Sequence, residues 1–156
     1  MKLGDISAKF KGLSIQPGSV FRMTLFPKDG VTPKREGDKS RTKYFVVIGK
    51  DEESLLVGSL LINSDVNVNL VHVIAPYQHC IYPKDYAFLG DKYRFIDCYR
   101  IKELNFNQIV DDGEYIGTIS VADLDKAIGL ANTSPVNKPT TLMKFGVYRP
   151  VEGDQK

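Results

Sequence analysis

Apolar and polar positions alternate through Ser19–Phe26, setting Phe21, Met23 and Leu25 on one side and predicting a first β-strand after the Pro17-Gly18 turn. Tyr44–Ile48 is instead an unbroken apolar run rich in β-branched and aromatic side chains. Gly49–Glu52 supplies a turn and Ser54–Leu61 resumes the apolar pattern, so Ser40–Ser64 reads as a β-hairpin with its core inside. Leu70–Ala75 predicts another strand, carrying His72, and Gln78–Tyr82 a short one between Pro76 and Pro83. Tyr86–Leu104 sets aromatic residues around Gly90-Asp91, the pattern of two extended segments joined by a turn, and Asn105–Ile119 reads as turn-rich with a tight bend at Asp111-Asp112-Gly113. A helical period emerges only late. Ser120 as N-cap, Asp123 three residues on, and Leu124, Ala127, Ile128 and Ala131 along one face predict the one strong helix. Asn132–Thr141 reads as a linker, and Leu142–Tyr148 as a last strand or short helix. Met1–Gln16, which mixes lysines with isolated apolar residues, reads as an extension or a short helical arm.

Short strands followed by a late helix predict a mainly β chain, a small antiparallel barrel. The 156 residues read as one domain, with a barrel core over about 16–131, an N-terminal arm 1–15 and a C-terminal extension 132–156. A chain that is 42% hydrophobic and 26% charged falls outside the disordered and membrane-embedded classes. The absence of a signal peptide and of a spanning apolar run adds to that reading. Cys80 and Cys98 are too few for a disulfide framework or a metal site and read as reduced thiols in a cytoplasmic protein. The histidines stand alone: His72 reads as structural, and His79 and Cys80, as neighbours, point to opposite faces of a strand. No metal or cofactor is expected.

A net charge of +2 argues for no partner by itself, so its placement matters. Pro27–Lys43 holds Lys28, Lys34, Arg35, Lys39, Arg41 and Lys43 against Asp29, Glu36 and Asp38. Such a loop is either a solvated surface, the commoner case, or a phosphate-contacting one. Arg41 enters the hairpin where Asn63 and Ser64 leave it, a grouping suited to holding a phosphate. Asp97, set among Phe95, Ile96, Tyr99 and Ile101, is either paired, with Arg100 or with another strand, or functional, because an unpaired buried charge is costly.

Taken together, Pro17-Gly18-Ser19-Val20-Phe21, Leu25-Phe26-Pro27, Arg41 before Tyr44–Ile48, Leu60–Ser64, Asp97–Ile101 and Ile116–Ser120 resemble the MazF/PemK toxin family, over roughly Gln16–Ala131. The resemblance implies an SH3-like barrel that forms a homodimer, is blocked by an antitoxin protein, and cleaves single-stranded RNA without metal. In that chemistry the 2′-hydroxyl attacks the adjacent phosphate. The resemblance gives Arg41 the role of stabilising the charged phosphate, matches Ser64 to the second residue of a Thr-Ser pair, and makes Asp97 an acid or base. Lys34, Arg35, Lys39, Lys43, Asn63 and Arg94 would contact the RNA. Asn63 stands where the family has a catalytic threonine, Phe95 where it has arginine, and Thr42 where it has proline. The alternative is therefore a non-catalytic SH3-like barrel that binds nucleic acid or a protein partner.

Overall fold

The computed structural model describes residues 12–26, 41–64 and 71–150. Its strands are β1 (Ser19–Leu25), β2 (Arg41–Asp51), β3 (Leu56–Asn63), β4 (Gln78–Ile81), β5 (Arg94–Asp97), β6 (Lys102–Asn105) and β7 (Glu114–Thr118). Its helices are α1 (Val71–Ile74), α2 (Phe106–Asp112), α3 (Val121–Thr133) and α4 (Pro139–Lys144). Among the described residues no helix is long and apolar enough to cross a membrane.

The expected hairpin forms, with Tyr44 opposite Ile62, but β2 runs on through Gly49 and Lys50 to Asp51 opposite Leu56, so the turn falls at 52–55 rather than at Gly49–Glu52. The unbroken apolar run has a reason the sequence reading missed: both faces of the sheet are covered. Val46 and Ile48 pack on one face beneath α3 and α4, together with Leu60, Ile62, Ile96, Ala127, Ile128, Leu142 and Phe145. Phe45 and Val47 pack on the other, with Phe21, Met23, Leu25, Val57, Leu61 and Leu104, Ile109 of α2 and Ile15. A sheet covered on both sides loses the alternation that marks one side as wet. Here the result is a three-layer packing, called below the α3 face and the α2 face.

The expected mainly β, SH3-like barrel is therefore corrected to a mixed α/β fold with an open sheet. Strand order runs β4-β5-β3-β2-β1-β7, with β6 also paired to β3, and among the described residues no ladder joins the edge strands β4 and β7. Side-chain contacts connect the two ends of the sheet through α3. His79 on β4 bonds Asp123 of α3 at 2.7 Å, and the Tyr86 hydroxyl donates to Asp123 and accepts from the Ser120 amide at 2.9 Å. The Phe88 ring lies so close over Gly117 of β7 that an added Cβ would fall 2.5 Å from it. Among the described residues these side-chain contacts, rather than backbone pairing, tie β4 to the segment that follows β7, and Phe88 covers the face of β7.

Burial opposes ionisation of Asp123, but hydrogen bonds from Tyr86, His79 and Ser120 outweigh it and hold the carboxyl below its ordinary value of 3.8. The folded-state value lies below the unfolded one, so this contribution is fully present above that ordinary value and lost as pH falls through the folded-state one. Tyr86→Phe should cost about 1 kcal/mol at neutral pH. Urea unfolding at pH 7 and in acid should show the deficit shrinking as Asp123 protonates; a deficit independent of pH would detach Tyr86 from the carboxylate.

Three other elements differ from expectation. Val71–Ile74, expected within a strand, is a helical turn with His72 exposed, running into the turn Ala75–Tyr77 with Pro76 near its start. Asn105 caps α2 by accepting from the Gln108 amide at 3.1 Å, so the supposedly turn-rich stretch holds a helix and β7. Ala87–Leu89 is a short 3₁₀ turn rather than a strand. Ser120 does cap α3, accepting from the Asp123 amide at 3.1 Å.

Candidate functional site

Pairing registers align side chains in rows across the α2 face at one end of the sheet. Met23 lies opposite Lys43, and Lys43 donates a hydrogen bond to Oδ1 of Asn63 on β3. Asn63 lies opposite Phe95, and Phe95 opposite Cys80. One row thus reads Met23, Lys43, Asn63, Phe95, Cys80 over five strands. One residue pair further in, the row reads Phe21, Phe45, Leu61, Asp97, Gln78. Arg41 stands two residues before Lys43, so alternation gives it the same face.

Lys43 is only 8% exposed. Burial pushes its ammonium down from 10.5 to about 8; the charge of Arg41 adds to this, Asp97 opposes it, and Arg94 lowers it further. Its hydrogen-bond partner, the Asn63 amide, is neutral. Among the described residues neither Lys43 nor Arg41 is in an ion pair. Lys102, on β6 beside this region, is also lowered by burial while Asp97 opposes the shift.

Asp97, whose charge acts on both lysines, is already engaged. Its Oδ1 accepts from Gln78 Nε2 at 2.9 Å and from the Tyr99 amide at 3.0 Å. The second bond spans two residues and fixes the turn separating β5 from β6. Among the described residues no ion pair joins Asp97 to Arg100.

Of the residues expected at the site, Arg41, Lys43, Asn63 and Asp97 come together on this face. Ser64 is exposed just beyond β3. Arg94 faces the other way: its Nε donates to the Leu89 carbonyl at 2.7 Å and its guanidinium lies 4.9 Å from the Tyr44 ring centroid. Lys34, Arg35 and Lys39 lie outside the described residues. The sequence reading did not single out Gln78, Tyr82 or Tyr93, although the alternation Gln78-Cys80-Tyr82 and Tyr93-Phe95-Asp97 would have put them on the face of Asp97.

Chemically, this is a cation-rich end of the sheet whose buried ammonium, among the described residues, donates to a neutral amide. An entering phosphate oxygen would supply a charged acceptor and could take up the fork of Arg41.

No protein-family model matches the chain, and no curated protein matches it. With the open sheet, this overturns the MazF/PemK resemblance. The metal-independent endoribonuclease and hydrolase expectation falls with it. The barrel on which the toxin chemistry depends is not formed, Asp97 serves the β5–β6 turn, and among the described residues no three His, Cys, Asp or Glu side chains converge.

Proposed function

We propose that the protein binds single-stranded RNA in the cytoplasm, holding the phosphate backbone against Arg41, Lys43 and Asn63. The observation that carries this reading is the buried Lys43 ammonium, offered a neutral amide where a charged oxygen would fit. Two features add support. Leu25 pairs with Arg41, which sets Arg41 at the end of the sheet that carries Lys43 and Asn63. Cys80 and Cys98 are both free thiols, in keeping with a reducing compartment.

Fluorescence anisotropy with a labelled oligouridine should give affinity that falls with salt. Lys43→Gln and Arg41→Gln should each weaken binding by about 5- to 10-fold and lower the salt slope by about one. Affinity should also fall as pH rises through about 8, where Lys43 loses its proton. Binding that is indifferent to both substitutions would refute the site.

A further inference from the structure

Tyr82 and Tyr93 are exposed, at 47% and 57%, although large aromatic side chains commonly cover themselves. They lie one pair beyond Ile81 and Arg94, the last partners of the β4–β5 ladder. The same register carried one step on brings the two tyrosines opposite each other, and their rings do meet edge to face, with centroids 5.4 Å apart and planes at 78°. Period two gives Tyr82 the face of Cys80, and Tyr93 the face of Phe95, which is the face of Lys43 and Asn63. With adjacent strands about 5 Å apart, β2 and β5, separated only by β3, lie about 10 Å apart. The Lys84 ammonium stands 5.9 Å from the Tyr82 ring centroid, adding a third cation to this end of the sheet.

We infer that Tyr82 and Tyr93 form a base-stacking subsite, which takes an unpaired base of the strand whose phosphates lie on Arg41 and Lys43. This rests on the RNA-binding reading above and gives it a source of strand selectivity. A ring face accepts any base but only an unstacked one, whereas phosphate contacts alone favour the more densely charged duplex. In an edge-to-face pair one ring supplies its edge and the other its face, so the two tyrosines hold each other upright while part of their ring surface stays in water.

The test compares Tyr93→Leu and Tyr82→Leu with Tyr93→Phe and Tyr82→Phe. Binding is measured to oligouridine and to its duplex with oligoadenosine, and urea unfolding verifies that each variant is folded. The leucine variants should bind the single strand about 5- to 100-fold more weakly, keep the wild-type salt slope, and leave duplex affinity unchanged. The phenylalanine variants, which retain the ring, should bind as wild type. If the leucine variants match wild type while Lys43→Gln still weakens binding, the stacking subsite is refuted and the backbone reading stands. Leucine variants that lose duplex affinity as much as single-strand affinity also refute the subsite. A wild-type protein that binds neither RNA overturns both.

Discussion

Raising the pH from 7 to 10 stabilises the wild-type chain relative to Lys43→Met by about 2 kcal/mol, most of the contribution that is complete only above the unfolded-chain value. The sign follows from burial. Lys43 has a folded-state value of about 8 against an ordinary 10.5, so the unfolded chain holds the proton more tightly than the folded one between those values. Stability is therefore fully present above 10.5 and lost as pH falls through 8. At pH 7 the native protein carries a buried charge that its fold disfavours. Methionine fills a similar volume without that charge, so Lys43→Met should be the more stable protein at pH 7 and should bind RNA poorly. Paired urea titrations of the two proteins at pH 7 and 10 check this, since the other titrating side chains are common to both. Equal pH dependence would mean that the ammonium is not buried in solution. A residue that costs stability where its charge serves binding fits the trade between stability and function common at binding sites.

Much of this site was legible in the sequence because it lies on one hairpin. Arg41 and Lys43 at the start of β2 and Asn63 at the end of β3 are brought together by a local turn, which the break in the apolar run after Ile48 announces although it falls at 52–55 rather than at Gly49–Glu52. Asp97 was legible as a charge among apolar neighbours, but its role was not. The partners that settle it, Gln78 on another strand and the Tyr99 amide, depend on a break between β5 and β6 that composition does not mark. Fold class failed for a related reason. The run Tyr44–Ile48 is compatible with a strand buried in a barrel or between two helical layers, and deciding requires knowing that Leu142 and Phe145, far along the chain, pack on the same sheet. Even the glycines of the hairpin answer to that late segment. A Cβ at Gly49 would lie 2.1 Å from the Phe145 carbonyl oxygen and one at Gly58 2.7 Å from the Phe145 ring. The edge network fails to show because His79, Tyr86 and the Ser120–Asp123 cap belong to three separate segments. The missed α2 did have a local signal, Asn105 followed three residues later by Gln108, in the positions of a capping box.

Asn137 should be the residue whose loss most loosens the frame behind the site. It is 7% exposed and makes three bonds to backbone: Nδ2 donates to the carbonyls of Ala131 at 2.9 Å and Cys98 at 3.3 Å, and Oδ1 accepts from the Ile101 amide at 3.0 Å. Cys98 and Ile101 flank the break between β5 and β6, and Ala131 lies near the end of α3. One amide therefore stitches the interrupted strand to the helix that covers it. Ser134 reinforces the seam by donating to the Tyr99 carbonyl at 2.5 Å. Asn137→Ala removes all three bonds and leaves one buried N–H and two carbonyls without their partner. At about 1 to 3 kcal/mol for each stranded group, reduced where water or relaxation supplies a substitute, the total is about 3 kcal/mol. That corresponds to a melting temperature lower by about 6 to 12 °C for a chain of this size. Asn137→Asp keeps an acceptor for Ile101 but sets a carboxylate against two carbonyls, so it should not rescue. Since Asp97 holds the first residue of the break through Tyr99, the loosened turn should also weaken RNA binding. Thermal unfolding and exchange of the Ile101 amide are the measurements. A melting temperature and an Ile101 protection factor both unchanged in Asn137→Ala would show that the break holds itself and that Asn137 only fills space.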